Sequence, residues 1–527
     1  MGALPGYRLD AFRLENFMGF EDTGWIELRP ITLLFGRNSS GKSAIIRALL
    51  LLKQSLEARD PDAPLRLTGP LVDLGTYYNA VHRHDTKLDI AFWLRISHPD
   101  WPEPQLPKDA TEEEEQRFDA EMSERRSAVP PWTQPSAADI DDRPLELRLA
   151  FGLIEEGHAP RLKSLQIWGY RSGTPLLVFG VDYNAHERAW GLPRSEAPLD
   201  YDASVPLEED GRPVMDEDGK QKRVTRQRQQ FSDPLWQAVS PTFVDGIVPD
   251  LRTANRADIR LEDSPGDWRI VSEALRFFGE HVNGLLRKTV YLPPLREAPQ
   301  RYYRAGEAWV QALVDPAGSL SKEAVNWWLA VASLDAKVDV VPLNQDEGLV
   351  GVYLFEEWDE APTGFRSNLR DVGAGVAQVL PVIVETMRAG PDGLVIIEQP
   401  ELHLHPEAQA VLADFFIALS KLGVGPRFLL ETHSSSLIYR MRRRMAETKV
   451  GWLEAAPEIK LRPDDISACF VNRRDGVSVL EPISYRDDGS YARMPDGFDD
   501  FFGADYEQLY RLRDAQLEAE SREDTGQ

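Results

Sequence analysis

Gly36-Arg37-Asn38-Ser39-Ser40-Gly41-Lys42-Ser43 sets two glycines, a lysine and a hydroxyl at the spacing G-x-x-x-x-G-K-S. Residues of these types can wrap a phosphate chain. Main-chain amides of the turn and of a following helix start hold the β-phosphate, Lys42 reaches the β and γ oxygens, and the Ser43 hydroxyl ligates Mg²⁺. The pattern implies a bound nucleoside triphosphate and predicts that Lys42 faces solvent when the site is empty. Far downstream, Leu394-Val395-Ile396-Ile397 runs into Glu398-Gln399-Pro400-Glu401, and Arg427-Phe428-Leu429-Leu430 into Glu431-Thr432-His433-Ser434. Glu398 is the candidate acid beside the metal, and His433 a candidate reporter of the γ-phosphate; an ordinary loop histidine is the competing reading of His433.

Such residues meet only if an α/β fold brings them together. The apolar run Ile31 to Phe35 precedes the loop and the amphipathic stretch Ala44 to Leu56 follows it, which predicts strand, loop and helix. Four apolar residues ending in an acid describe a buried parallel strand, and open α/β sheets place ligands at the carboxyl ends of such strands. A strand over Leu88 to Ile96 and further strands from Leu145 to Tyr183 suggest an amino-terminal antiparallel β lobe. Two polar insertions interrupt it, at about 97–145 with Glu112-Glu113-Glu114-Glu115, and at about 185–262 with the basic run Lys220, Lys222, Arg223, Arg226 and Arg228. That run is either a solvated loop or a contact for nucleic acid or a partner. Residues 268 to 335 show helical periodicity, with Trp268, Ala274, Leu275, Phe278, Leu285, Val325, Trp328 and Leu329 as apolar faces. A strand over Leu349 to Trp358, a helix to about Glu447, a hairpin over roughly 466 to 485 and a charged closing helix complete the expected order.

Composition narrows the function classes. The chain has 527 residues, one cysteine (Cys469) and a formal charge of −26. A single cysteine excludes an internal disulfide and a multi-cysteine metal site. The acidic balance argues against a surface that grips nucleic acid everywhere, because phosphate binding relies on Lys and Arg releasing counterions; any such contact is local or made by a partner. Met1 to Asp10 lacks a basic-then-apolar leader, and no uncharged apolar run approaches about 18 residues. A cytoplasmic protein with no membrane partner is expected.

Together these segments resemble the ABC-type ATPases of the SMC, RecF and OLD (overcoming lysogenization defect) group. The resemblance extends to Leu14-Glu15-Asn16-Phe17 through Leu28-Arg29-Pro30, to Tyr291-Leu292-Pro293-Pro294-Leu295-Arg296 followed by Arg301-Tyr302-Tyr303, and to Asp371-Val372-Gly373-Ala374-Gly375-Val376-Ala377-Gln378 in the place of the signature motif. It covers roughly half the chain. E-Q-P-E-L-H-L-H-P and E-T-H-S are similar to compact, short-armed members found in prokaryotic anti-phage defence modules. No sustained heptads point to long arms. The resemblance implies an ABC-type P-loop ATPase head with a mixed sheet, ATP and Mg²⁺ as cofactors, and a dimer or higher oligomer in which Asp371, Gly373 and Gly375 of one subunit face the ATP of the other. It divides the chain into head segments at 1–96 and 346–450, the β lobe at 97–262, a helical lobe at 263–345 and a terminal cap at 451–527.

Two departures bear on mechanism. Gln399 stands where many such ATPases carry a glutamate that polarises the attacking water; an amide orients water and takes no proton. Hydrolysis is then slow unless Glu401 or His433 substitutes. Asp371 stands where a serine commonly meets the γ-phosphate, so the backbone from Gly373 to Gly375 is the safer contact. Other readings stay open: a zinc cluster of His403, His405, His433 and Glu401 against a loop that ends where Pro406 opens a helix; Arg37 and Arg370 as phosphate neutralisers or surface residues; Gln54 as a Mg²⁺ ligand or a packing residue. The adjacent acids Asp464-Asp465, Asp487-Asp488 and Asp499-Asp500 make poor metal clamps, so no TOPRIM-type nuclease site is expected. The implied function is ATP hydrolysis driving a conformational sensor or clamp for a separate effector such as a nuclease or toxin. A RecF-like repair ATPase on DNA and an ATP-locked scaffold with negligible turnover are the alternatives.

Overall fold

Strands Ile31–Gly36, Leu394–Glu398 and Arg427–Glu431 are buried at every position, as continuous apolar runs in a parallel sheet must be. The computed structural model describes residues 8–58, 64–97, 145–153, 159–171 and 174–184, short strands between 189 and 253, and 282–498 apart from gaps at 297, 307, 315–321, 332–336, 345, 356–365, 391–392 and 422–424. Two units divide the chain, one of residues 1–8, 54–81 and 85–283, the other of 9–53, 82–84 and 284–527.

The second unit holds the elements of the nucleotide site. Its strands are β1 (Arg8–Phe17), β2 (Phe20–Asp22), β3 (Ile26–Glu27) and β4 (Ile31–Gly36), with α1 starting at Lys42 and ending at Ala58. Strands β2 and β3 both pair antiparallel with β1. The first unit carries β5 (Ile90–Ser97), β6 (Leu145–Gly152), β7 (Arg161–Arg171), β8 (Thr174–Asn184) and β9 (Ala189–Gly191), an antiparallel meander in that order. Beyond it, three short antiparallel pairs, such as Val239–Thr242 with Asp250–Thr253, lie in the stretch read as a polar insertion. The insertion at 97–145 is almost wholly outside the described residues, as are Lys220, Lys222, Arg226, Arg228, Trp268, Phe278, Asp499-Asp500 and the closing charged helix.

Later elements of the second unit are β10 (Val290–Leu292), β11 (Tyr303–Arg304), α2 (Ala308–Val314), α3 (Lys322–Val331), β12 (Lys337–Asn344), β13 (Leu349–Phe355), β14 (Arg366–Asn368), α4 (Ala374–Arg388), β15 (Leu394–Glu398), α5 (Pro406–Ser420), β16 (Arg427–Glu431), α6 (Ser435–Lys449), β17 (Ile466–Arg474), β18 (Val477–Tyr485) and β19 (Tyr491–Arg493). The main sheet runs β10-β15-β16-β4-β17-β18-β19. Its first five strands are parallel and the last two antiparallel. The mixed sheet, the α/β class and the hairpin over 466–485 agree with the sequence reading. The stretch read as helical is so in part: α2 and α3 lie in it, with Val325, Trp328 and Leu329 buried as read, but β10 and β11 lie inside it too, because Val290-Tyr291-Leu292 is a short β-forming run halted by Pro293-Pro294.

Helix α5 returns the chain from β15 to the adjacent parallel strand β16, a crossover that buries Phe416 against Phe428 and Phe415 against Phe416. Trp328 of α3 meets Phe415 edge-on with centroids 4.8 Å apart, so these aromatics are core. The basic residues of α6 are held within the unit. Arg440 and Arg444 both bond Asp414, Arg443 bonds Glu447, and Arg442 stacks on Tyr491 at 4.1 Å.

Candidate nucleotide-binding site

The phosphate loop leaves β4 at Gly36, whose φ of 144° is open only to glycine and where a Cβ would collide with the Val471 carbonyl. Helix α1 begins at Lys42 with no acid in its first turn, so its positive end is left to an anion. Arg37, Asn38 and Ser39 are exposed and Ser40 is buried.

Lys42 does not face solvent. It is 4% exposed; its Nζ donates to the Gly36 and Arg37 carbonyls at 2.8 and 3.0 Å and lies 3.7 Å from Glu431 Oε1. The acid on the neighbouring strand draws the ammonium into its own loop, which corrects the expectation of a free lysine. Burial lowers its pKa, against the opposing charges of Glu431 and Glu398.

Glu431 is the functional candidate that sequence reasoning passed over. Strands β15 and β16 pair with Glu398 opposite Glu431, so both carboxylates end at one level, and both are buried. Ser43 Oγ donates to Glu431 Oε2 at 3.2 Å, while Glu398 Oε1 accepts from the Tyr291 hydroxyl at 2.7 Å. Burial, with the neighbouring Glu398 charge, pushes Glu431 up to about 7, with Lys42 and Ser43 pulling the other way. Burial and then Glu398 push the Tyr291 phenol up as well. A hydroxyl and two carboxylates are hard oxygen donors, and one lysine leaves the acid pair under-compensated; the residues present fit Mg²⁺. The available signal was an acid ending each of two consecutive parallel strands.

The other candidates fall into distinct places. Gln399 is half-buried at φ 47°, and its main-chain N–H donates to the Glu431 main-chain carbonyl at 2.7 Å. Glu401 is buried, its Oε1 accepting the His433 main-chain amide at 2.7 Å; burial raises its pKa first, with the His433 hydrogen bond opposing. His433 is half-buried, and burial followed by the Lys42 charge lowers its pKa. His403 and His405 are exposed, and His405 Nδ1 caps α5 by accepting the Glu407 amide at 3.5 Å, with Pro406 as the first helical residue. That is the helix-opening role and not a cluster with His433. Gln54 is a packing residue: its amide bonds the Arg66 and Val72 carbonyls and the Val72 amide. Arg37 and Arg370 are both exposed.

In the signature segment, Asn368 caps the turn Leu369–Asp371 by accepting the Arg370 amide at 3.1 Å. Asp371 is held by both guanidinium nitrogens of Arg301, at 2.8 and 3.1 Å. Gly373 caps α4, is exposed, and a Cβ there would meet nothing within 4 Å. Gly375 packs closely, since its Cβ would stand 3.0 Å from the His403 carbonyl. The first turn of α4 has no acid.

Residues 319–438 match the family described as AAA ATPase domain, and residues 12–60 the family described as AAA domain. A search of curated proteins finds no match. Among solved structures, the chain is similar to the SMC head domain from Thermotoga maritima, at 10% identity, covering 90% of this chain and 99% of that one, with a TM-score of 0.34. It is also similar to the Smc head domain with an extended coiled coil bound to the C-terminal domain of ScpA from Pyrococcus furiosus, at 10% identity, covering 91% and 96%, with a TM-score of 0.37. Both overlaps are loose. Among the described residues no helix is long and apolar enough to cross a membrane. The two family matches take in the phosphate loop and the two acid-ended strands that the sheet sets side by side, and in those segments the chain is similar to AAA ATPase domains.

Proposed function

We propose that two copies of this chain close around two ATP molecules, each with Mg²⁺, and that closure and release drive a separate effector. The observation that supports the reading is that one unit carries both the cluster of Lys42, Ser43, Glu398 and Glu431 at the phosphate loop and the exposed amino end of α4 at Gly373. ATP that gains the second set of contacts only in the closed pair shifts the open–closed balance by its differential affinity.

In this reading the amides from Gly36 to Ser43 and the Lys42 ammonium hold the phosphates, once ATP displaces Lys42 from its loop carbonyls. Ser43, Glu398 and Glu431 would hold Mg²⁺, and Tyr291 orients Glu398. Mg²⁺ held there would supply charge neutralisation to the phosphates. Gln399 orients the attacking water, and His433 donates to the γ-phosphate. Glu401, which braces the His433 backbone, takes no proton. The amides of the α4 start at Gly373 to Gly375 meet the partner's ATP. Asp371 is neutralised by Arg301 and so tolerates a nearby phosphate. With an amide at 399, turnover is slow.

The resemblance to short-armed defence ATPases favours a cytoplasmic anti-phage sensor or clamp whose effector is a nuclease or toxin. Co-expression with the genes adjacent to its own, followed by purification with and without ATP, tests that role: ATP-dependent co-elution of a nuclease or toxin supports it. Turnover stimulated many-fold by duplex DNA in the chain alone favours the repair ATPase.

A further inference from the structure

Beyond Pro293-Pro294 the chain delivers Arg296 to the end of the acid-bearing strand β15. Its Nη2 donates to the main-chain carbonyls of Glu398 and Gln399 at 3.3 and 3.2 Å, and its Nη1 to the Gln378 carbonyl in the second turn of α4 at 3.5 Å. These carbonyls belong to elements that, in the reading above, serve different nucleotides. Glu398 and Gln399 face the head's own ATP, whereas α4 faces the partner's. A second contact joins the same two segments, where Gly375 lies too close to the His403 carbonyl for an ordinary Cβ contact. The strap between them is bounded by two non-glycine residues at positive φ, Gln399 at 47° and His403 at 65°, conformations that persist only where the surroundings hold them.

A guanidinium is a planar fork with five donors and can grip carbonyls of two elements at once; an ammonium on a flexible stem cannot hold that geometry. We infer that Arg296 is a positioning residue that couples occupancy of a head's own nucleotide site to the setting of its signature helix, so that a filled head presents α4 correctly to a second copy. The inference rests on the two-ATP reading of the site. It requires that ATP ordering of the loop from Gln399 to His405 travel into α4 within a single subunit, before any partner arrives.

The test compares hydrogen–deuterium exchange of the full chain with Arg296 and with Arg296→Lys, both in a Gly373→Arg background that keeps the protein monomeric, with and without ATP and Mg²⁺. Calorimetry measures ATP affinity in the same samples, and circular dichroism checks folding; Arg296→Gln serves if the lysine variant does not fold. The expected result is that ATP slows exchange at 378–382 by about fivefold or more with Arg296 and by less than about twofold with Lys. Protection of 399–405 is kept, and the ATP affinity changes by no more than the factor lost at 378–382. Equal ATP-induced protection of 378–382 in both backgrounds overturns the coupling. Absence of ATP binding in both overturns the reading of the site itself, and the coupling with it.

Discussion

Ser43 and Glu431 face each other across the phosphate loop with 3.2 Å between Oγ and Oε2, and Lys42 stands on the other oxygen of the same carboxylate at 3.7 Å. Glu431 therefore meets both chemistry-bearing side chains that close the loop motif, while its register partner Glu398 is taken by Tyr291. The Glu398 charge adds to burial in raising Glu431, and Lys42 and the Ser43 hydroxyl offset it in part.

A pH dependence follows for metal-free, nucleotide-free protein. Glu431 is raised from an ordinary carboxylate value to about 7, so the folded state binds a proton more tightly than the unfolded chain. Its contribution is fully present below about pH 4.5 and is lost as pH rises through 7. Between pH 5 and 8 in EDTA, wild type is expected to lose on the order of 2 kcal/mol relative to Glu431→Gln. Parallel stability curves for the two proteins by chemical denaturation contradict this.

Lys42→Ala is expected to remove ATP binding and, because Lys42 is buried beside Glu431, to cost about 1–3 kcal/mol at pH 8. Lys42→Ala/Glu431→Gln is expected to regain most of that stability without regaining ATP binding. A double mutant no more stable than Lys42→Ala, measured by urea denaturation beside calorimetry, is the contrary result.

The strand, loop and helix around Lys42 and the acid-ended strand at Glu398 were legible because their signals are local: a glycine-rich loop after an apolar run, and an apolar run ending in an acid. What it missed depends on register and on distant backbone. Glu431 stands in the quoted strand end, yet its role appears only when the parallel pairing sets it level with Glu398. Arg296 bonds main-chain carbonyls roughly 80 to 100 residues away in sequence, which side-chain types do not encode. Lys42 was expected in solvent, but the Gly36 and Arg37 carbonyls and Glu431 take it, contacts that the motif alone does not encode. The strand β10 hid in a helical reading because three residues are too few to break a periodicity.

The missing carboxylate gives a kinetic prediction. Gln399→Glu is expected to raise kcat by about tenfold or more, and Glu398→Gln to lower it with a higher Mg²⁺ requirement. Glu401→Gln keeps an oxygen for the His433 amide and is expected to stay within a few-fold of wild type. Steady-state phosphate release decides this, and an inactive, folded Glu401→Gln beside an unchanged Gln399→Glu moves the base to Glu401.

The signature glycines are expected to separate by function. Gly375→Val drives a side chain toward the His403 carbonyl and is expected to destabilise the fold by about 1–3 kcal/mol. Gly373→Arg enters open space and is expected to leave the melting temperature and monomer ATP affinity unchanged while removing ATP-dependent pairing. Equal loss of stability in both variants, by thermal unfolding, contradicts the separation.

Mass photometry of the wild-type chain with Mg²⁺ and a non-hydrolysable ATP analogue is the most direct test of the two-headed site. The expected result is a shift from the 59.5 kDa monomer to a dimer or larger species that requires nucleotide and is absent in Gly373→Arg. A species that remains at 59.5 kDa at micromolar concentration, with calorimetry showing the analogue bound, contradicts the account.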